Sequence, residues 1–373
     1  MTVTGPLLPL VAEEFGTSVG EAGAIVSAFA IPYGACQILF GPVGDRLGKL
    51  RVIAGALAVS SLFVLASGFS ESLQFLTSMR FVCGFFMAAT VPLALAYIAD
   101  EVAYAERQPV IGRFVHGLVM GQIAGGVLGG IAGEYFNWRD IFFVFGGLGI
   151  VLAVLLARRA VTDHASGSAV HHKPRELLRF YRQLCIQPSS RDLLFVATVE
   201  GAMVFGLLAY LGAYLRHEFG LNYAVIGLVL SSFGVGGVVY ATAVYRLVRI
   251  LGERRMILAG AALVSVGYLG LQAVPHWLWC PPLLLLAGFG FYMIHNTLQT
   301  RATEMSDTAR GTAVSLWAFM LFFGQGVGVL VFGRLIDSVS YASAFYAAAI
   351  GMFAVGLWFF LRLKRYAPHV QHA

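Results

Sequence analysis

The chain has 373 residues, 58% of them hydrophobic and only 12% charged, with a formal net charge of +6 and a mean hydropathy of +0.79. Soluble domains carry about 25% charged residues, so this composition excludes an ordinary water-soluble protein and fits a chain solvated by lipid. Segments of ~10 residues alternating in polarity, the mark of a membrane β-barrel, are not found, and the basic balance reads as charge gathered in loops on one side of a membrane rather than as a nucleic-acid surface.

Taken in chain order, apolar runs fall at 1–12, 21–44, 51–69, 73–98, 108–132 and 140–157, then at 191–215, 222–246, 255–273, 277–299, 311–335 and 341–362. Most are long enough to predict membrane-spanning helices. The polar interval between the two groups is basic, carries histidines and is broken by Pro174 and Pro188. The sequence thus divides into a first six-span bundle at 1–157, a linker at 158–190 and a second bundle at 191–365. Within the linker, PRELLRFYRQL has the pattern of an amphipathic helix at a membrane surface.

The two groups repeat one another. EEFG at 13–16 reads again as HEFG at 217–220, SAF at 27–29 as SSF at 231–233, and Gly48 as Gly252, all in one register. GQIAG at 121–125 returns as GQGVG at 324–328, and Arg107 as Arg310, in a register one residue shorter. A duplicated six-helix unit is an architecture typical of secondary transporters. Residues 1–12 would cover only ~18 Å of a ~30 Å hydrocarbon core. Span seven begins earlier in the repeat, so span one is expected to be truncated, its first half missing; an eleven-span protein with a short re-entrant start is the alternative.

If the loop at 45–51 is set on one side and the spans alternate, all of the 25 Lys and Arg residues except Arg80, Arg139, Arg216 and Arg334 fall on that side. The positive-inside bias assigns it, with both termini of an intact chain, to the cytoplasm; the expected location is a bacterial inner (plasma) membrane. Cys36, Cys83, Cys185 and Cys280 show no CxxC or Cys/His spacing and imply neither a disulfide framework nor a metal site. No basic n-region opens the chain, so a cleavable signal peptide is not expected.

An ionisable group inside a span costs ~2.5–3.5 kcal/mol on insertion scales, so the few present are candidate functional residues. Glu200, in VATVEGAMVF, lies in the middle of span seven. A carboxyl in low dielectric keeps its proton more readily than one in water, which makes Glu200 the candidate proton carrier. Arg80, about a third of the way into span four, stays charged; it would hold a neighbouring acid ionised or attract an anionic substrate group. His116 and His295 titrate in the useful range. Tyr33, Gln37, Gln122, Tyr292, His295, Asn296, Trp317 and Gln325 are candidates to line a substrate cavity. Each has a structural alternative: a permanently paired acid, an arginine bonded to carbonyls, a satisfied histidine. Gly121, Gly125 and Gly129 form a small-residue face on span five that would allow close helix approach in lipid.

Between spans two and three, GPVGDRLGKLR crowds Asp45, Arg46, Lys49 and Arg51 among glycines. It resembles the loop 2–3 signature of the major facilitator superfamily, Gly-x-x-x-Asp-Arg-x-Gly-Arg/Lys-x-Arg/Lys. FLTSMRFVCGFFMAA (75–89) looks like that family's fourth-helix motif. GQIAGGVLGG (121–130) looks like the fifth-helix motif of its drug/proton antiporter branch, with Gly126 where the motif carries proline. FNWRDIFFVFG (136–146) resembles the start of helix six. The resemblance implies an all-α membrane fold of twelve transmembrane helices in two pseudo-symmetric bundles, working as a monomer on a small molecule and protons in a lipid bilayer, with no cofactor and no nucleic acid. In that frame Gly41 lets helix two pack closely on a neighbour, Gly48 permits the reversal into helix three, and Arg46 holds the loop in the cytoplasm. Asp45 is implied to meet the start of helix eleven near Arg310 when the cytoplasmic side closes, where the helix dipole favours a carboxylate. The mirrored loop YRLVRILGERR (245–255) has Arg249 where the acid would stand, so only the first half is expected to carry the full latch.

The combined expectation is a proton-coupled secondary transporter exporting a small molecule in exchange for H⁺ by alternating access. A proton symporter importing a sugar, organic acid or amino acid shares the fold and the latch. A receptor built on the same fold is a third reading. An enzyme is disfavoured, because no Ser/His/Asp, zinc or phosphate-loop pattern occurs and GVGGVVY (234–240) lies inside an apolar span.

Overall fold

A computed structural model describes residues 3–162, 174–306 and 310–363, with the backbone alone at 104, 105, 108, 162, 174–178 and 310. Among the described residues the fold is helical throughout. The first bundle contains α1 (Thr4–Glu14), α2 (Val19–Leu47), α3 (Lys49–Ser67), α4 (Leu73–Glu101), α5 (Tyr104–Tyr135) and α6 (Asp140–Thr162). A linker helix, Pro174–Ile186, leads to α7 (Pro188–Phe219). A helical stretch then runs from Tyr223 to Ala273, followed by α10 (Cys280–Thr303), α11 (Arg310–Ser338) and α12 (Tyr341–Arg362).

The Tyr223–Ala273 stretch has 51 residues, ~75 Å of helix at 1.5 Å per residue and more than twice a ~30 Å hydrocarbon core. It is two helices, α8 (223–251) and α9 (253–273), that reverse at Gly252, where φ is 66° and ψ 161°. Gly48 makes the corresponding reversal between α2 and α3 with φ 91°. A side chain is disfavoured at such positive φ, so the two glycines that the internal repeat aligns perform one task. With α8 and α9 separated, ten apolar stretches account for eleven spans, and the short α1 stands in the place of the remaining one.

Several boundaries differ from the hydropathy reading. α6 continues through Arg158 and Arg159 to Thr162, past the expected end of the first bundle, because a helix needs no lipid to persist for another turn. α4 bends at Ala88–Ala89 before continuing to Glu101. α7 contains a π-helical segment, Gly201–Gly206, immediately after Glu200. The linker helix lays Leu184 and the rings of Phe180 and Tyr181 against the second bundle, and burial pushes the Tyr181 hydroxyl up to about 12. Arg179 and Arg182 remain exposed on it.

The ends of the molecule are unlike. At one end, side-chain caps start the helices: Ser18 for α2, Ser72 for α4, Asn222 for α8 and Ser340 for α12. Here the bundles are in contact. α5 packs on α8 through Gly126, Gly130 and Gly227, and Gly234 lies against Ile123. α2 packs on α11, with the Ser27 hydroxyl donating to the Gly326 carbonyl at 3.0 Å and the Tyr33 ring 4.7 Å from Phe322. α1 meets α7 where Gly5 and Pro6 face Gly212. At the other end, which carries the basic loops, a side chain placed at Gly41, Gly112, Gly117, Gly121 or Gly311 would meet no atom within 4 Å. The halves touch from mid-depth to the capped end and stand apart at the basic end.

One packing expectation is corrected by this, and the structure distinguishes two glycine faces on α5. A side chain at Gly41 would meet no atom within 4 Å; the nearest glycine of α2 in close approach is Gly44, which faces Leu93 of α4. On α5, the face made by Gly121, Gly125 and Gly129 is not the one laid on the other bundle. Gly121 is in open space, Gly129 faces Val3 and Pro6 of the first bundle, and Gly126 and Gly130 cross to α8. The glycines of α5 occupy two faces, and helix rotation decides which face meets which neighbour.

Candidate functional site

Glu200 is set by a close backbone approach. Gly201 lies against the Leu321 carbonyl and the Gln325 amide of α11, and Gly324 of α11 lies against Thr198 of α7. Small residues on both helices let their backbones nearly touch, as in other lipid-embedded helix pairs. The π-helical turn begins at the next residue, and such turns occur often at functional positions. Glu200 is fully buried. His295 of α10 brings Nδ1 to 3.5 Å from Glu200 Oε1, and the imidazole itself is 18% exposed. The histidine is therefore the accessible side of a pair whose acid is out of reach.

Aromatic rings hold that histidine. Phe291 lies 4.9 Å from it and Trp317 of α11 5.0 Å, and Phe205 of α7 packs on Phe291 at 5.0 Å. Both Glu200 oxygens, His295 Nδ1 and the Trp317 indole N–H are buried without a hydrogen-bond partner. Buried polar groups are nearly always satisfied, and an uncompensated buried charge is costly. Four such atoms in one neighbourhood mark a site arranged to take up a proton or a ligand group.

The first bundle supplies a cation. Arg80 of α4 is buried, with its guanidinium 4.6 Å above the Phe29 ring and its Nε and Nη2 without partners. Phe29 stacks on Tyr33 at 5.6 Å, which leads to Phe322 of α11 across the bundle boundary. No ion pair to Arg80 occurs among the described residues, so the cation–π contact, worth ~2 kcal/mol or more when desolvated, offsets part of its burial. Next to it, Cys83 and Ser60 exchange side chain-to-carbonyl bonds at 3.5–3.6 Å.

The other predicted residues are distributed. Gln37 and Gln325 are buried. Tyr292 packs on Gly237 of α8, and Asn296 is half-buried on α10. His116 and Gln122 are exposed on α5, and neither joins Glu200 and His295. In the loop signature, Asp45 pairs with Lys49 at 3.1 Å, and Lys49 with Asp100 of α4 at 2.5 Å. Arg46 is exposed, and the Arg310 side chain lies outside the described residues. Here Asp45 is engaged within its own bundle while the start of α11 at Gly311 has open space around it.

Sequence reasoning passed over Glu134 and Asp337. Each bonds to the other bundle at the capped end: Glu134 Oε2 accepts from the Tyr223 amide at 2.8 Å, and Asp337 accepts from the Gly20 amide at 3.1 Å and the Ser18 hydroxyl at 2.6 Å. It also passed over Glu14, which accepts from Trp138 and pairs with Arg139, tying α1 to the start of α6. The signal for the first two was in the repeat, which aligns Glu134 with Asp337.

The Major Facilitator Superfamily family model matches residues 1–309 and 193–372. The chain belongs to the Major Facilitator Superfamily. Relatives agree across nearly its full length. It is 26% identical over 339 residues to the uncharacterized MFS-type transporter YceJ of Bacillus subtilis, covering 91% of this chain and 86% of the relative. It is 23% identical to a multi-drug resistance efflux pump PmrA homolog of Lactococcus lactis, covering 97% and 90%. Among solved structures, a bacterial homolog of the human lysosomal transporter Spinster, inward-facing and unoccupied, superposes with a TM-score of 0.81 at 16% identity, covering 97% of this chain and 93% of that one. The nucleoside transporter NupG superposes with a TM-score of 0.77 at 12% identity. As a Major Facilitator Superfamily protein, the chain places Glu200, His295 and Trp317 in its second bundle and Arg80 in its first.

Proposed function

We propose that this protein is a proton-coupled secondary transporter that exports a small molecule in exchange for H⁺ by alternating access, from a bacterial inner membrane with its basic end in the cytoplasm. The observation that carries the reading is the buried Glu200–His295 pair, 3.5 Å apart, with only the imidazole accessible. A proton arriving at His295 passes to Glu200 and neutralises a carboxylate that has no other donor. A substrate held near His295 and Trp317 favours the other protonation state, so each ligand changes the affinity for the other. Opening at the basic end suits loading from the cytoplasm, and Asp45 is then free to leave Lys49 and meet the start of α11 when that end closes. The relative named as a multidrug efflux pump homolog supports export.

Symport is kept as a second reading on one observation. Gly126 replaces the proline of the antiporter motif and packs against Gly227 of α8, without the kink a proline would impose. The experiment reconstitutes the protein in liposomes with a pH dye inside and adds a compound selected by ligand-induced thermal shift. Antiport alkalinises the lumen as substrate enters, and symport acidifies it. Glu200→Gln removes the pH-driven accumulation in inverted vesicles; unchanged accumulation would end the assignment of Glu200 as proton carrier.

A further inference from the structure

The capped end holds a contact that occurs twice. Asp337, at the end of α11, bonds through its carboxylate to the Gly20 amide in the first turn of α2 and to Ser18, the residue that caps that helix. Glu134, at the end of α5, bonds to the Tyr223 amide in the first turn of α8, just after its cap Asn222. In both cases a carboxylate of one bundle sits on the first turn of a long helix in the other, where unsatisfied amides and the helix dipole favour negative charge. The internal repeat relates all four participants. Glu134 and Asp337 stand in the register that pairs Arg107 with Arg310, and Ser18 and Asn222 in the register that pairs EEFG with HEFG. The bundles thus exchange equivalent bonds, each giving one carboxylate and receiving one.

The surroundings are shaped for this approach. A side chain at Gly20 would collide with the Asp337 carboxylate and the Gly333 carbonyl, and one at Gly130 with the Tyr223 carbonyl. The Tyr210 hydroxyl donates to the Val329 carbonyl at 2.8 Å and presses against Gly23 of α2. At the basic end the second half has Arg249 where the first has Asp45, so the repeat does not match Asp45 with a second acid there.

We infer that Glu134 and Asp337 form a two-fold clasp that holds the capped end shut, and that its release is the step by which the protein opens to the opposite side of the membrane. The clasp is separate from the proton and substrate site, so its test does not depend on what Glu200 does. Hydrogen bonds to a charged group contribute enough that losing one clasp multiplies the ratio of opened to sealed molecules by about tenfold. Independent sites add in free energy, so losing both gives about a hundredfold.

The experiment measures spin-label distances in full-length protein in nanodiscs, with Cys185, the exposed native cysteine, replaced by serine. Labels at Glu71→Cys and Pro275→Cys report the capped end, and labels at Arg46→Cys and Arg249→Cys report the basic end; all four positions are exposed. Glu134→Ala and Asp337→Ala each lengthen the first distance and shorten the second, and the double variant does so most. Glu134→Gln and Asp337→Asn, which keep an acceptor but lose the charge, fall between wild type and alanine, and decide the question if the alanine variants do not fold. Unchanged distances at the capped end, an effect of one carboxylate but not the other, or lengthening at both ends would overturn the clasp.

Discussion

At the capped end two carboxylates, Asp337 and Glu134, reach across the molecule while Glu14 ties α1 to α6 of its own half, and at the basic end the paired carboxylates turn back on their own bundle. Asp337 and Glu134 bond to helix starts of the opposite half, whereas Asp45 pairs with Lys49, Lys49 with Asp100, and Arg301 with Glu253, all within one half. The glycines tell the same story: Gly130 and Gly227 meet backbone of the other bundle, while Gly117 and Gly121 face open space. Contacts within a bundle can persist through a rigid-body motion, but contacts across the boundary must be exchanged. The difference between the ends therefore separates the bonds that define each six-helix body from those that define which way the cavity faces.

The strongest way to break this comparison is to lock one end. Ser18→Cys with Asp337→Cys, in a Cys185→Ser background, is expected to react fully with a short bifunctional thiosulfonate. Transport should fall to background and return on reduction. Because the substitutions remove half of the clasp, the reaction traps the closed form as it is sampled, and a folded double variant that does not cross-link at all would show that these helix ends do not meet in any sampled state. Next in size is a packing contrast. Gly130→Leu is expected to cost ~1–3 kcal/mol of stability, because the overpacked side chain meets backbone. Gly117→Leu should stay within about 0.5 kcal/mol yet slow turnover, since the basic end must close over it. Unfolding curves in detergent separate the two, and equal losses would erase the distinction between the ends.

Asp45→Asn should change stability by no more than about 1 kcal/mol, because its pair with Lys49 is partly exposed, but it should lower the transport rate. An unchanged rate would show that Asp45 forms no contact important to closure. The smallest effect is expected at Glu253→Gln, which loses a pair inside one bundle. Its stability should shift by ~0–1 kcal/mol and the distances across both ends should not move.

The spans and the reversals were legible because lipid imposes apolar length and because Gly48 and Gly252 occupy a conformation that few other residues accept. The loop signature and the repeat identified the family before any coordinates did. Glu200 and His295 were each visible as polar residues within apolar spans. That they face one another is a consequence of α7 and α10 being neighbours, which no local pattern encodes. The rotation of α5 was hidden for a related reason: Gly121, Gly125 and Gly129 read as one face and Gly126, Gly130 and Gly133 as another, and only packing against α8 selects between them. Asp45 illustrates a different limit, since one carboxylate can pair locally in one state and across the boundary in another. The clasp was readable in principle, because Glu134 and Asp337 align, but both lie at span ends where an acid is unremarkable.

The most direct test of the two-ended arrangement around the site is the accessibility of position 295 from each side. His295→Cys, in a Cys185→Ser background, is treated with a membrane-impermeant thiol reagent in right-side-out and in inverted vesicles. The expected result is rapid labelling from the basic end, little from the capped end, and gain of labelling from the capped end when Glu134→Ala and Asp337→Ala are added. Equal labelling from both ends of the unmodified background, or none from either, would contradict a cavity that leads from the basic end to the Glu200–His295 pair.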